Sequence, residues 1–151
     1  MRLALVLVAV QALAGLSSPA RQSIQRVNPP GMTQPGGYHH VVRAGDLLFI
    51  AGQVALDAAG RVVGEGDMPT QVKQVFENLR RVLASQEVDF SHVVKITIYT
   101  TDMQAFRAAS EVRRSYLGDH PPASTLVEVR KLARPELLVE IEAIAVADGG
   151  S

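Results

Sequence analysis

Two carboxylates, Glu140 and Glu142, lie in an otherwise apolar segment between Leu137 and Ala143. At the two-residue period of a strand they share one face, opposite Ile141. Carboxylates in so apolar a strand require a partner, a solvated cleft or a subunit interface. The alternative is an antiparallel sheet with one face in water, on which both carboxylates are simply solvated. In either case this strand is the first place to look for a functional site.

A second β-branched segment, from Pro122 to Val129, precedes it, and Arg134-Pro135-Glu136 lies between the two segments. This pattern predicts two strands and a turn. In the first strand Thr125 should lie on one face, with Ser124 and Leu126 on the other.

The composition excludes several classes of function. A chain of 151 residues is by default one domain with a sizeable core. Fifteen basic and fifteen acidic residues cancel, and no basic run interleaved with aromatics suggests a nucleic-acid partner. The absence of cysteine removes disulfides, thiol nucleophiles and thiolate ligands. The histidines, of which only His39 and His40 are adjacent, lack the spacing of a metal site, so no metal is expected.

The N-terminus resembles a secretory leader. Arg2 precedes an apolar run from Leu3 to Leu16, and Ser17-Ser18-Pro19-Ala20 follows with small residues. The pattern predicts a signal peptide at residues 1–20 and a mature domain at residues 21–151. The mature protein would be exported, periplasmic or secreted, and would have no membrane contact after leader removal. The alternative is an N-terminal helix or strand that packs on a cytoplasmic domain.

The remaining pattern predicts the order strand, strand, strand, helix, strand, helix, strand, strand. Asp67 should cap the first helix, with Pro69 in its first turn, and Asp102 should cap the second, which ends at Gly118. Two helices on one face of a mostly antiparallel sheet make an α+β two-layer sandwich.

The sheet face without helices should be apolar, because we expect it to carry Val127, Val129 and the alternating apolar residues of the last strand. Such a face requires a partner, most simply further copies of the same chain in a closed ring.

Several short motifs follow one another in a specific order along the chain. They are Gly37-Tyr38, Ala51-Gly52-Gln53 with Asp57, Gln71, Glu77-Asn78-Leu79, Val93-Val94-Lys95, Thr101-Asp102-Met103 with Phe106, Pro122-Ala123, and the stretch from Val139 to Ala145. As an ordered set, from about Gly37 to Ala147, they resemble the RidA (YjgF) family of imine and enamine deaminases. The resemblance implies a chorismate-mutase-like protomer in a barrel-like homotrimer. It also implies a small-molecule ligand in each intersubunit cleft and no cofactor, because an imine is already electrophilic.

The resemblance also assigns roles to residues. Glu140 would help to hold the water that attacks the imine carbon, and Tyr38 would close the cleft. Ser124 stands where deaminating members carry an arginine that anchors the substrate's carboxylate. A hydroxyl cannot make the bidentate, charge-assisted pair that a guanidinium makes with a carboxylate. The loss of this pair should weaken substrate binding by about 2–5 kcal/mol.

Other cleft positions differ from the family pattern as well. Ala51 replaces a serine, Ser110 replaces a helix asparagine, and Leu126 follows the position of the usual serine, which is Thr125 here. Backbone groups near Thr125 would help to position the water.

Two features offer a substitute for the missing cation. Arg113 lies one turn after Ser110 on the second helix, and His39 and His40 are adjacent to Tyr38. The alternative is that Arg113 is a solvated helix residue and that the histidines lie on the sheet surface.

The sequence therefore predicts a RidA-family hydrolase, similar to 2-iminobutanoate/2-iminopropanoate deaminases. Its substrate would be the imine or enamine of a small 2-oxo acid, or a related compound without a carboxylate. The alternative is a non-catalytic trimer that binds a small metabolite.

Overall fold

The computed structural model describes residues 23–147. The strands are β1 (Ile24–Val27), β2 (Val41–Ala44), β3 (Leu47–Val54), β4 (Val93–Thr100), β5 (Ala123–Glu128) and β6 (Val139–Val146). The helices are α1 (Met68–Ala84), α2 (Met103–Ala108) and α3 (Ser110–Leu117), with a short 3₁₀ helix at Phe90–His92. The predicted signal peptide, residues 1–20, lies outside the described residues. No helix within residues 23–147 is long and apolar enough to cross a bilayer.

The six strands form one sheet in the order β1-β2-β3-β6-β4-β5. Every neighbouring pair is antiparallel except β4 and β5, which are parallel. The α+β two-layer class is therefore confirmed. The two predicted strands β5 and β6 are present, with a turn at Pro135 and Glu136 between them, but they are not neighbours in the sheet. A parallel pair requires a long crossover, which α2 and α3 supply, and β6 then enters between β3 and β4.

Helix α1 forms where the periodicity predicts it. The side chain of Asp67 accepts a hydrogen bond from the Thr70 amide at 3.3 Å, and Pro69 lies in the first turn, where its missing N–H has no intrahelical partner to lose. Its apolar stripe is fully buried against the sheet, with Phe76 and Leu79 among the largest buried side chains.

The second predicted helix is two helices. Ala109, with ψ at 12°, leaves the helical conformation between α2 and α3. Its amide is shared between the carbonyls of Ala105 and Phe106, which is the tightened geometry of a helix end. The cap at Asp102 and the end of the helical region at Gly118 are as predicted.

All the helices of the described residues cover one face of the sheet, and we call the other face the open face. The apolar residues of β6, from Val139 to Ala145, lie under the helices. The prediction that they lie on the open face was wrong. The prediction failed because the same alternation fits either face until the partner strands are known. Val94 is exposed, because the β4–β6 register shifts between Val93 and Lys95.

Candidate functional site

Both carboxylates of β6 lie on the open face. Glu140 is in register with Tyr99 of β4, and Glu142 with Thr97. The Tyr99 hydroxyl donates a hydrogen bond to Glu142 Oε1 at 3.4 Å. The central strand therefore presents a carboxylate pair, and one member of the pair has a phenol as hydrogen-bond donor.

Strand β3 bulges beside this pair. Ile50 pairs with Ala143 and Gln53 with Ile141, so two residues of β3 stand opposite Glu142 alone. Such a bulge bends the strand and changes the direction of its side chains. One of the two extra residues is Ala51, a predicted cleft residue, and the other is Gly52.

Gly52 makes room for Glu140. A Cβ added at residue 52 would overlap Glu140 Oε1 and lie 2.8 Å from its Cδ and 2.9 Å from its Cγ. The side chain of Glu140 consequently lies against the backbone of β3. In this position the carboxyl is half-buried.

The environment of Glu140 raises its pKa above the ordinary carboxyl value. Burial is the larger cause and the negative charge of Glu142 the second. The charge of Glu142 likewise raises the pKa of Tyr99. Glu140 therefore keeps its proton to higher pH than a solvated glutamate and can act as an acid as well as a base.

Two hollows open onto this face on either side of Glu142. The larger, of about 480 Å³, is lined by residues that include Tyr38, Phe49, Ala51 and Lys95. The smaller, of about 410 Å³, is lined by Tyr99, Val129, Lys131, Leu132, Ala133, Glu140 and Glu142. Each hollow has space for a small metabolite beside a carboxylate.

Of the predicted site residues, Tyr38, Ala51, Thr125 and Glu140 lie on the open face or at its hollows. Thr125 is in register with Thr97 and accepts a hydrogen bond from Lys95 Nζ. These four residues share the open face, but neither of the two hollows contains all of them.

The other four predicted residues lie elsewhere. Ser124 and Leu126 are in register with the buried Ile96 and Ile98, so they lie on the helix side of the edge strand β5. Ser110 and Arg113 belong to α3, which packs against α1 and the 3₁₀ helix. Within one chain, therefore, neither Ser124 nor Arg113 shares a cleft with Glu140.

The two adjacent histidines differ. His40 is buried, with its ring Nε2 2.8 Å from the Thr33 carbonyl and its Nδ1 3.3 Å from the Gln53 amide nitrogen. A surface position for His40 was wrong, because its segment precedes β2 and turns the ring inward. His39 is exposed and lines the larger hollow.

Sequence reasoning did not assign a role to Tyr99, Lys95 or Gly52. Lys95 and Tyr99 are four residues apart and therefore share a strand face, but only the β4–β6 register shows that this is the face of the carboxylates. Within residues 23–147 no group of three or more His, Asp or Glu side chains is arranged to hold a metal ion.

An α+β protomer with helices on one sheet face and a carboxylate pair on the other describes a recognised class of small proteins. The model of the family called Endoribonuclease L-PSP matches residues 31–147. The chain therefore belongs to this family, which is the RidA (YjgF) family, as its motifs predicted.

Individual relatives agree with this assignment. Protein DfrA of Myxococcus xanthus is 41% identical over 128 residues, which cover 85% of this chain and 97% of the relative. The 2-iminobutanoate/2-iminopropanoate deaminase of Mus musculus is 34% identical over 131 residues, which cover 87% and 95%. Among solved structures, E. coli TdcF with bound serine matches with a TM-score of 0.70 and 26% identity, over 77% of this chain and 92% of that chain.

Proposed function

We propose that the protein is a hydrolytic deaminase that acts on the imine or enamine of a small 2-oxo acid, or on a related compound without a carboxylate. The observation that carries the proposal is the position of Glu140, half-buried beside a hollow with its pKa raised by burial and by Glu142. A carboxyl of this kind can both donate and accept a proton at a higher pH than a solvated glutamate.

The reaction needs only water and this proton carrier. Protonation of the imine nitrogen makes its carbon more electrophilic, and water adds to that carbon while Glu140 accepts a proton from the water. The proton then passes to the nitrogen of the carbinolamine. The C–N bond breaks, ammonia leaves with the bonding electrons, and the hydroxyl group gives its proton to Glu140 as the ketone forms. No electrons are gained or lost overall.

The position of the site supports a homotrimer. The predicted cleft residues divide between the open face and the helix side, so one chain holds an incomplete cleft. The open face also exposes Phe49 and Val127, at 44% and 40% of their surface. A second copy that covers this face would bury apolar surface and bring its own edge strand to the carboxylates.

The substrate class follows from the names of relatives and from one substitution. A relative is named for 2-iminobutanoate and 2-iminopropanoate, which are small and carry a carboxylate. Ser124 offers a hydroxyl in place of a guanidinium, so we expect carboxylates to bind weakly. The balanced charge of the chain does not favour RNA as a substrate, despite the name Endoribonuclease L-PSP that the family carries.

Ammonia release from freshly generated 2-iminobutanoate tests the proposal. Glu140→Gln should reduce the rate by about a hundredfold or more, because the amide cannot carry a proton. The matched control is Glu65→Gln, which removes an exposed carboxylate far from the open face and should leave the rate unchanged. Full activity in Glu140→Gln would contradict the proposal.

A non-catalytic binding protein is the second candidate. It is favoured by the missing arginine and by the apolar side chains, such as Val42, Phe49 and Ile144, that line the larger hollow. In this case a small ligand would raise the melting temperature while no imine, with or without a carboxylate, would release ammonia faster than in buffer.

A further inference from the structure

Tyr99 faces both carboxylates of β6 but binds one of them. The backbone of Tyr99 is directly opposite that of Glu140 in the β4–β6 register, but the Tyr99 hydroxyl donates a hydrogen bond to Glu142 Oε1. Glu140 and Glu142 are two residues apart on the same face, about 7 Å along the strand. None of the side chains in residues 23–147 donates a hydrogen bond to Glu140.

We propose that Tyr99 and Glu142 are positioning residues that favour the protonated form of Glu140. A phenol O–H donates to an ionised carboxylate more strongly than to a neutral carboxyl, so it holds the negative charge on Glu142. Glu140 lies half-buried against Gly52 and has no such donor. A negative charge at Glu142, on the same face of the strand, disfavours a second negative charge at Glu140.

The other charged groups near the pair do not reverse this asymmetry. Strand β3 presents Gly52 and Val54 to Glu140 and no titratable group. Lys131, in the segment after β5, lines the same hollow as both carboxylates without a hydrogen bond to either. Lys95 lines the larger hollow on the side of Glu142, where its ammonium donates to Thr125.

The raised pKa of Glu140, with the charge of Glu142 among its causes, agrees with this geometry. The catalytic meaning of the inference rests on the proposed function. A proton kept on Glu140 is available to the imine nitrogen at the start of the reaction, before the carboxylate accepts one from water. Catalysis should therefore decline on the basic side as Glu140 ionises.

Carbon-13 NMR titration of the side-chain carboxyls tests the proton's location. In full-length protein, Glu142→Gln should move the Glu140 titration midpoint to lower pH. Tyr99→Phe, which keeps the ring and its packing, should move it in the same direction by less, because it removes only the hydrogen bond that favours the negative form of Glu142. The control Glu65→Gln should leave the midpoint where it is. An unchanged Glu140 midpoint in both test variants would overturn the inference.

The pH dependence of the rate supplies a second readout. In Glu142→Gln and Tyr99→Phe the basic limb of the kcat/KM profile should move to lower pH, which a purely structural role would not produce. A basic limb that stays in place while the NMR midpoint moves would contradict the catalytic part of the inference. Absence of turnover by the wild-type chain would contradict the proposed function alone, since the NMR titration requires no activity.

Discussion

Gly52 and Glu140 lie on adjacent strands, and the carboxyl group of Glu140 fills the space that a Cβ at residue 52 would occupy. The contact exists because β3 bulges at this point and brings its backbone across the side chain. Residue 52 is glycine because a Cβ at this position would overlap the carboxyl group of Glu140. The bulge and the glycine together hold the carboxyl half-buried, which is the larger cause of its raised pKa.

Gly52→Ala should displace Glu140 without unfolding the chain. The overlapping atoms belong to the movable end of a glutamate, so stability should change by no more than about 1 kcal/mol. Deaminase activity should fall by about tenfold or more, because an error of about 1 Å in position can cost that much. Urea denaturation and the ammonia assay measure the two effects. In the control Gly36→Ala, where an added Cβ meets nothing within 4 Å, neither quantity should change. Full activity in Gly52→Ala would show that the position of Glu140 is unimportant.

Ser124→Arg should restore binding of carboxylates. Ser124 is exposed on the edge strand β5, so an arginine there has no burial cost. We expect the stable acid 2-oxobutanoate to bind at least tenfold more tightly, a gain of about 1.4 kcal/mol, as measured by calorimetry. Ser124→Gln has a long side chain without charge and should give no such gain. Equal tightening in both variants would exclude a charge-based anchor.

The stability of the chain should depend on pH through Glu140. Because its folded pKa is raised above the ordinary value of 4.5, the folded state favours the neutral carboxyl. This contribution is complete below the ordinary pKa and is lost as the pH rises through the raised one. Urea midpoints between about pH 4 and pH 8 should therefore shift in favour of Glu140→Gln relative to wild type as the pH rises. A difference that stays constant over this range would contradict the prediction, and Glu65→Gln provides that constant baseline.

Gln71 should be the most sensitive polar residue of the core. Its buried amide nitrogen donates to the carbonyls of Glu136 at 2.7 Å and Gly64 at 3.1 Å, and its oxygen accepts from the Leu138 amide at 2.8 Å. Gln71→Leu leaves three backbone groups without these partners and should destabilise the fold by about 2–4 kcal/mol in urea denaturation. Lys73→Leu, an exposed substitution on the same helix, should cost less than about 0.5 kcal/mol. A similar small cost for Gln71→Leu would mean that water replaces the lost bonds.

Most of the fold could be predicted from local pattern. The caps at Asp67 and Asp102 depend on residues close in the chain, and the structure shows both where they were predicted. The pairing of distant strands does not depend on residues close in the chain. Neither the insertion of β6 between β3 and β4 nor the parallel pairing of β5 could be read from alternation, which is the same for either neighbour and either face.

The candidate site was predictable to a smaller extent. Glu140 was identified as an unusual carboxylate because charge in an apolar strand is visible in the sequence. Its neighbours across the sheet were not visible, since Tyr99 is 41 residues away from Glu140 and lies opposite it only through the strand register. The separation of Ser124 from Glu140 was likewise hidden, because a strand pattern alone does not say which face is covered.

The location of β5 at the rim of the sheet sets residue 124 apart from the carboxylate pair at the centre. A replacement at the rim disturbs few neighbours, whereas each carboxylate is constrained by two adjoining strands. Exchange of residues at the rim can therefore change what the open face recognises while the carboxylate pair keeps its surroundings. Lineages of this fold should differ most in what they recognise and least in how they move a proton.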